Sequence, residues 1–379
     1  MIRTMIVDDS GVVRALIQGI LKNDGRFDVV GFADNGERAI RRNEELTPEL
    51  ILMDLKMPIM DGIEASKKIM SVSSPTIVAF TSEDDAETGY RCLEAGAVDI
   101  IKKPAVDKME ESLLNFFCDR LAQIVMSRKK TNGDNTETNI AERESDESEE
   151  KKENTEANVD TNASNDNILH PKETFNAVQI SNWIRHDYKM IVMGSSTGGP
   201  STLLEIIKNM GPNFPLPVAI TQHIDAGFDE QLAHWLSTNT GCNVKLAEDG
   251  EKARSGIFYI APAQKHLVIK KDASGESVCQ FSLDDSEAIH FLKPAVDKLF
   301  TSASEIFGRK LIAVLLTGMG RDGDEGCASV KEKGGYTICE DEASCVVYGM
   351  PRAAIENGHA IAVKALADIV PHIREIIGQ

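Results

Sequence analysis

Short apolar runs alternate with longer amphipathic stretches from the first residues of this chain. Met5-Ile6-Val7, Val29-Val30-Gly31-Phe32, Leu50-Ile51-Leu52-Met53, Ile77-Val78-Ala79-Phe80 and Asp99-Ile100-Ile101 have the length and β-branched content of buried strands. Helix-length segments separate them. Five such alternations over residues 1–126 predict a parallel sheet with helices on both faces. The pattern resumes near Tyr188. Lys189-Met190-Ile191-Val192-Met193 reads as a strand, followed by a Gly-rich turn and a helix around Leu203–Ile207. Further strands are expected at 217–221, 256–261, 266–270, 278–281, 311–317 and 336–339, with helices at 230–237, 295–307, 325–333 and 366–377. A second α/β domain, doubly wound and mostly parallel, is therefore expected over 188–379.

Residues 127–187 follow neither period. Within them, 131–167 hold 12 acidic and 3 basic residues, no aromatics, and many Asn, Ser and Thr. Such a stretch buries too little apolar area to offset its ordering entropy, which predicts a disordered linker; an acidic docking tail is the alternative. This segment carries nine of the 19 net negative charges. An acidic chain is repelled by phosphate backbones and anionic lipid surfaces, which argues against nucleic-acid binding and direct membrane insertion. No run approaches the apolar length of a membrane span, and the first residues lack the charged and apolar regions of a secretory leader. Seven single cysteines without a CxxC pair read as reduced core thiols. A cytoplasmic protein is expected.

In a parallel sheet, ligands bind at the carboxyl edges of the strands. Asp8 and Asp9 follow the first strand, Asp54 the third, Thr81 the fourth and Lys103 the fifth. Three carboxylates at one edge repel one another unless a hard cation such as Mg²⁺ sits among them. An ammonium and a hydroxyl beside them suit phosphoryl oxygens. Taken singly, Asp9 or Ser10 reads as a helix cap, and so does Thr81. Together, Ile6-Val7-Asp8-Asp9-Ser10, the run Met53 to Gly62, Phe80-Thr81-Ser82 and Lys102-Lys103-Pro104 resemble a two-component receiver domain. The resemblance implies a flavodoxin-like (βα)5 fold, phosphate transfer from a histidine kinase to Asp54, and Mg²⁺ held by Asp8, Asp9, Asp54 and the carbonyl of Lys56. Thr81 and Lys103 would contact the phosphoryl group. Ile100 stands where receivers usually carry an aromatic.

Gly194-Ser195-Ser196-Thr197-Gly198-Gly199-Pro200 lies between strand and helix and fits the G-x-S-x-G turn that lifts a nucleophile from a sheet. A phosphate cradle and a plain turn remain open on this run alone. A serine nucleophile needs a base, and the base an orienting acid. Of eight histidines, His170 and His186 fall in or beside the linker, and His234 and His372 within helices. His223 ends the strand Val218–Gln222, at the edge where Ser196 lies; His266, His290 and His359 are weaker candidates. Asp322 follows the apolar strand 311–316. The order Ser, His, Asp differs from that of α/β-hydrolases. Gly318 to Gly323 also spells G-x-G-x-x-G, with Glu340 and Asp341 about 20 residues on. Asp322, Asp324 and Glu325 would repel a pyrophosphate there, so a dinucleotide site is disfavoured.

Met193 to Pro200, Thr221-Gln222-His223 with Gly227-Phe228, Phe258 to Pro262 with His266, and Leu315 to Gly323 together resemble the CheB family of chemotaxis protein-glutamate methylesterases. The resemblance implies a hydrolase acting on γ-glutamyl methyl esters of methyl-accepting chemoreceptors, and often deamidating glutamines there. It implies Ser196 as nucleophile, His223 as base, Asp322 as its partner, and amides near Thr197 and Met319 for the oxyanion, with no cofactor for the esterase step. Gln222-His223-Ile224-Asp225 departs from the family's usual Gln-His-Met-Pro. The rival expectation is a catalytically impaired, receiver-linked scaffold; a receiver-coupled transcription factor would need a basic recognition helix that the sequence lacks.

Overall fold

Strands that are apolar on every residue have no face to offer water, so they belong in the middle of sheets covered on both sides. The computed structural model describes residues 1–81, 86–103, 111, 114–128, 187–271, 279–289 and 291–379. It places such strands in two parallel sheets. The first holds β1 (Ile2–Val7), β2 (Phe27–Ala33), β3 (Leu50–Met53), β4 (Thr76–Thr81) and β5 (Asp99–Lys102) in the order β2-β1-β3-β4-β5. Helices α1 (Gly11–Asp24), α2 (Gly36–Leu46), α3 (Gly62–Val72), α4 (Ala86–Glu94) and α5 (114–128) surround it. Ser10, Asn35 and Asp61 cap the first three of these helices by accepting from backbone amides. The capping role weighed for Ser10 holds, so the helix does not need Asp9 as its cap. The alternation predicted the parallel sheet, and its order is the flavodoxin-like one that the receiver resemblance implies.

The second sheet joins β6 (Met190–Ser195), β7 (Val218–Gln222), β8 (Asn243–Leu246), β9 (Ile257–Ile260), β12 (Leu311–Leu315), β13 (Tyr336–Glu340) and β14 (Ala362–Lys364). All its pairings are parallel, in the order β14-β13-β12-β6-β7-β9-β8. β10 (His266–Lys271) and β11 (Cys279–Asp284) form a separate antiparallel hairpin. Helices α6 (Gly199–Met210), α7 (Asp229–Thr240), α8 (Val296–Phe307), α9 (Asp324–Glu332), α10 (Met350–Glu356) and α11 (Leu366–Ile377) cover the faces. The chain leaves β6 toward β7 on one side and returns through β12 on the other. Strand order therefore reverses beside the end of β6, and a crevice must open there.

β8, β14 and α10 are absent from the sequence expectation. β8 and β14 are edge strands of four and three residues with half-exposed side chains, and edges are kept short and polar against stray pairing. α10 is seven residues long, with Pro351 in its first turn. α5 runs through residue 128, two residues past the expected boundary. The expected linker lies outside the described residues except at its two ends. All seven cysteines are free, and six are buried.

The two domains meet along α4. The Tyr90 ring stacks on Trp235 of α7 with centroids 5.4 Å apart, and its hydroxyl donates to the Phe228 carbonyl at 3.0 Å. Trp235 Nε1 donates to Glu94 Oε1 at 2.8 Å. Val347, with the partly buried Val346 and Met319, joins the apolar core that holds Phe117 and Leu121 of α5. Between the domains is a cavity of about 30 Å³, faced by Tyr90, Asp99 and Arg120 on one side and Gln222, His223 and Asp225 on the other. That volume holds about one water molecule.

Gly62 opens α3 with its backbone pressed against the loop after β3: a Cβ there would lie 2.0 Å from the Asp54 carbonyl oxygen. Gly62→Ala is expected to destabilise the N-terminal domain by about 2 kcal/mol or more, read as a lowered transition in calorimetry. An unchanged transition would show that the loop simply moves aside.

Candidate active site

The turn after β6 is shaped by what its neighbours leave room for. Gly198 sits at φ +78°, and a Cβ on it would be 2.4 Å from Val346 Cβ. A Cβ on Gly199 would meet Gln222 Oε1 at 1.9 Å. Two adjacent serines precede these glycines, and the fold separates them. Ser195 is fully buried and donates to Gln222 Oε1 at 2.6 Å, so its hydroxyl is occupied. Ser196 is half-buried at the crevice, its amide donating to the Thr317 carbonyl at 2.9 Å. Gln222 returns its Nε2 to the carbonyls of Ser196 (2.8 Å) and His223 (3.0 Å), tying the ends of β6 and β7 together.

Ser195 pairs with Gln222 in the sheet register, so Ser196 and His223 are the next residues on neighbouring strands. Strands in a sheet lie about 4.8 Å apart, which sets the scale of the serine–histidine approach. No hydrogen bond joins Ser196 Oγ to the His223 ring in this structure. Catalytic contacts often tighten only with substrate bound. On its other side the imidazole is held firmly: His223 Nε2 lies 2.6 Å from Asp322 Oδ2. Asp322 arrives from the loop after β12 and is 2% exposed. Its Oδ2 also accepts from the Val296 amide (2.7 Å) and its Oδ1 from the Asp297 amide (3.0 Å), at the N-terminus of α8. Burial works to raise the Asp322 carboxyl, but His223 and these two amides outweigh it and hold it below the usual range. Burial and then the Asp322 charge push the neighbouring Asp297 carboxyl up to about 7.

Thr197 is buried, and Met319 lies across the crevice on the loop after β12. Among the described residues no acceptor is paired with either amide, so both are available to an oxyanion. Gly318 makes room beside them, since a Cβ there would sit 2.7 Å from Ser196 Cβ. Ser196, His223, Asp322, Thr197 and Met319 thus come together at one lip of the sheet.

The competing readings lose their atoms to other work. His266 is buried with both ring nitrogens engaged, by the Ala295 amide and the Glu287 carbonyl. His359 pairs with Asp324 at 2.7 Å, and His372 meets the Tyr336 hydroxyl at 3.0 Å. His234 lies in α7, away from the crevice lip. His170, His186 and His290 lie outside the described residues. The amide of Gly323, the last glycine of the G-x-G-x-x-G run, donates to Asp297 Oδ1, as does that of Gly326 three residues beyond it. The sequence assigned no role to Gln222, Asp297 or Thr317, and weighed Glu340 only as the acid of the disfavoured dinucleotide site; Asp297 had a local signal, as an acid in the first turn of a helix.

At the edge of the first sheet, one oxygen each from Asp8, Asp9 and Asp54 lie within 4.8 Å of one another. Lys103 Nζ sits 2.8 Å from both Asp8 Oδ2 and Asp54 Oδ1. Among the described residues, Asp8 Oδ2 has no well-directed hydrogen bond, and the buried Thr81 hydroxyl has no partner. Burial pushes the Asp54 carboxyl above its usual range, with Lys103 pulling the other way. Anionic oxygens short of donors are what a hard divalent cation requires. Lys56 follows Asp54 by two residues in the same loop. Ile100 packs next to Gly89 and lines the interdomain cavity.

A CheB methylesterase family model matches residues 191–373, and a response regulator receiver domain model matches residues 4–113. The chain is 35% identical to a Thermotoga maritima protein named protein-glutamate methylesterase/protein-glutamine glutaminase, over 99% of this chain and 98% of that one. It is 34% identical to a protein of the same name from Halalkalibacterium halodurans, over 99% and 96%. The crystal structure of the Thermotoga maritima CheB methylesterase catalytic domain is 44% identical, covering 50% of this chain and 97% of that one, with a TM-score of 0.47.

Glu340, at the end of β13, is fully buried; its Oε2 accepts from the Thr317 amide at 2.8 Å, and its Oε1 has no well-directed hydrogen bond among the described residues. Burial pushes its carboxyl from the ordinary 4.5 up to about 7. Between those values the folded chain holds a proton that the unfolded chain has lost, so this group's contribution to stability falls as pH rises. Glu340→Gln is expected to match the unaltered chain near pH 5 and to exceed it near pH 8, by up to about 3 kcal/mol. Thermal melts at the two pH values check this; an equal difference at both would refute it.

Proposed function

The chain belongs to the CheB methylesterase family, and we propose that it is a phosphorylation-activated esterase removing methyl groups from γ-glutamyl methyl esters of chemoreceptors in chemotaxis. The observation that carries this reading is the single crevice lip shared by Ser196, the His223–Asp322 pair at 2.6 Å, and the open amides of Thr197 and Met319. The Ser196 hydroxyl attacks the ester carbonyl as His223 takes its proton. Thr197 and Met319 receive the developing oxyanion, and the Asp322 carboxylate stabilises the imidazolium. Collapse returns the proton to the leaving methoxide, releasing methanol and leaving a glutamyl ester on Ser196. Water, deprotonated by His223, then frees the glutamate and the serine. A glutamine side chain attacked in the same way loses ammonia, in keeping with the second half of the name its relatives carry.

Control is assigned to the N-terminal domain. Asp8, Asp9 and Asp54, with the Lys56 carbonyl, would hold Mg²⁺, which offsets charge when a phosphoryl group is brought to Asp54. Lys103 and Thr81 would take the phosphoryl oxygens. A chemotaxis histidine kinase would be the donor, and donor and substrate place the protein in the cytoplasm. No helix among the described residues is long and apolar enough to cross a membrane. Tyr90, Asp99 and Arg120 of the N-terminal domain face His223 across a cavity that holds about one water. We read this packing against the base as the covered state, from which phosphorylation of Asp54 shifts the population toward an uncovered one.

Ser196→Ala is expected to abolish methanol release from methylated receptor and labelling by a fluorophosphonate, and Asp322→Asn to slow turnover by about 10³- to 10⁴-fold. Turnover of the Ser196 variant at the unaltered rate would remove the assignment. Tyr90→Ala removes the stacking on Trp235 and the bond to Phe228. It is expected to raise the unphosphorylated rate several-fold toward the phosphodonor-stimulated one. A variant that stays as slow as the parent and still responds fully to phosphodonor would refute the covering role of this face.

A further inference from the structure

The Asp322 carboxylate is only as well placed as the turn that carries it, and that turn is secured by a residue from another element. α8 and α9 both begin without a side-chain cap of their own: Ala295 and Gly323 stand at their N-cap positions. The exposed first amides of each helix need acceptors. Each helix finds them in the carboxylate belonging to the other segment. Asp322, from the turn before α9, accepts from the Val296 and Asp297 amides that open α8. Asp297, in the first turn of α8, accepts through one oxygen from the amides of Gly323 (2.9 Å) and Gly326 (2.6 Å) that open α9. The close approach this needs is built in, since a Cβ on Gly326 would sit 2.6 Å from Phe300 Cβ and 3.2 Å from Asp297 Oδ1.

We propose that Asp297 is a positioning residue of the esterase: by holding the Gly323 and Gly326 amides it fixes the Asp322 carboxylate, and through it the His223 imidazole, in the orientation that serves Ser196. This rests on the esterase reading above. The chain of contacts is short. Gly323 is bonded to Asp297 and covalently follows Asp322, whose Oδ2 is 2.6 Å from His223 Nε2. Asp297 is 8% exposed and lies behind Asp322, where a substrate does not reach. Its loss therefore acts on turnover and not on substrate affinity. Misplacing a reacting group by about 1 Å costs on the order of 100-fold.

The test uses the full chain with phosphodonor, measuring methanol release from methylated receptor together with the downfield NMR resonance of the hydrogen-bonded His223 ring proton. Asp297→Ala is expected to lower kcat about 10- to 100-fold with KM within about twofold, and to lose or broaden the His223 resonance. Asp297→Asn keeps an Oδ1 acceptor for both amides and is expected to restore the resonance and most of kcat. An Ala variant with parental kcat and resonance overturns the proposal, and so does an Asn variant as impaired as Ala. Should the Ala variant fail to fold, hydrogen exchange of Gly323 and Gly326 in the unaltered chain decides the same point. Slow exchange supports the hold by Asp297, and exchange as fast as an open loop amide overturns it. If the unaltered chain releases no methanol, the esterase reading fails by itself, while the resonance comparison still decides the role of Asp297.

Discussion

A carboxylate removed from water must find its hydrogen bonds in the protein or give up its charge, and the catalytic half of this molecule is arranged around one such group. Asp322 is almost fully buried yet receives two backbone amides and an imidazole. The amides come from a helix N-terminus, where backbone dipoles favour negative charge. This saturation keeps Asp322 ionised against the penalty of burial. An ionised Asp322 in turn favours a positively charged His223 at the moment a serine proton is taken. The sheet, the two helix starts and the interlocked Asp297 follow from the need to surround that one anion with donors.

The N-terminal domain meets the same problem and leaves it half solved. Asp8 and Asp54 are buried too, but Lys103 is their shared cation, and neither carboxylate is fully supplied with amides. Burial therefore raises Asp54 where Asp322 is lowered. A site short of donors invites a divalent cation and a phosphoryl group; a site with all its donors in place is ready for acid–base work without help. Two domains built on the same architectural rule thus present carboxylates of opposite character at equivalent sheet edges.

The interface joins these two sites physically. α4 and β5, which flank the Thr81 and Lys103 positions, carry Tyr90 and Ile100 to the loop that follows His223, and Glu94 to Trp235 of α7. A shift of α4 by a fraction of its contact distance breaks the Tyr90–Phe228 bond and the ring stacking together, because both hang on one short helix. Ile100, with no hydroxyl or broad ring, lines the cavity and leaves the polar contact with the His223 loop to Tyr90.

Most of the architecture was legible from periodicity, since parallel strands buried on both faces read as unbroken apolar runs and helices as 3.6-residue stripes. The chemistry-bearing residues at strand ends were legible as well, because a polar group directly after an apolar strand can only lie at a sheet edge. The edge strands β8 and β14 and the short helix α10 were not, having too few apolar residues to set a period. The G-x-S-x-G spacing picked Ser196 over Ser195, and in the fold the Ser195 hydroxyl is taken up by Gln222. What the sequence by itself determined is which residues end each strand, and therefore the set of side chains available at each lip. Which of them meet was decided by strand order, which places β12 and β7 on either side of β6 and brings residues 99 positions apart within 2.6 Å. The partnership of Asp297 and Asp322 likewise exists only in three dimensions, because amides at helix starts take whatever acceptor packing delivers, and no local pattern records it.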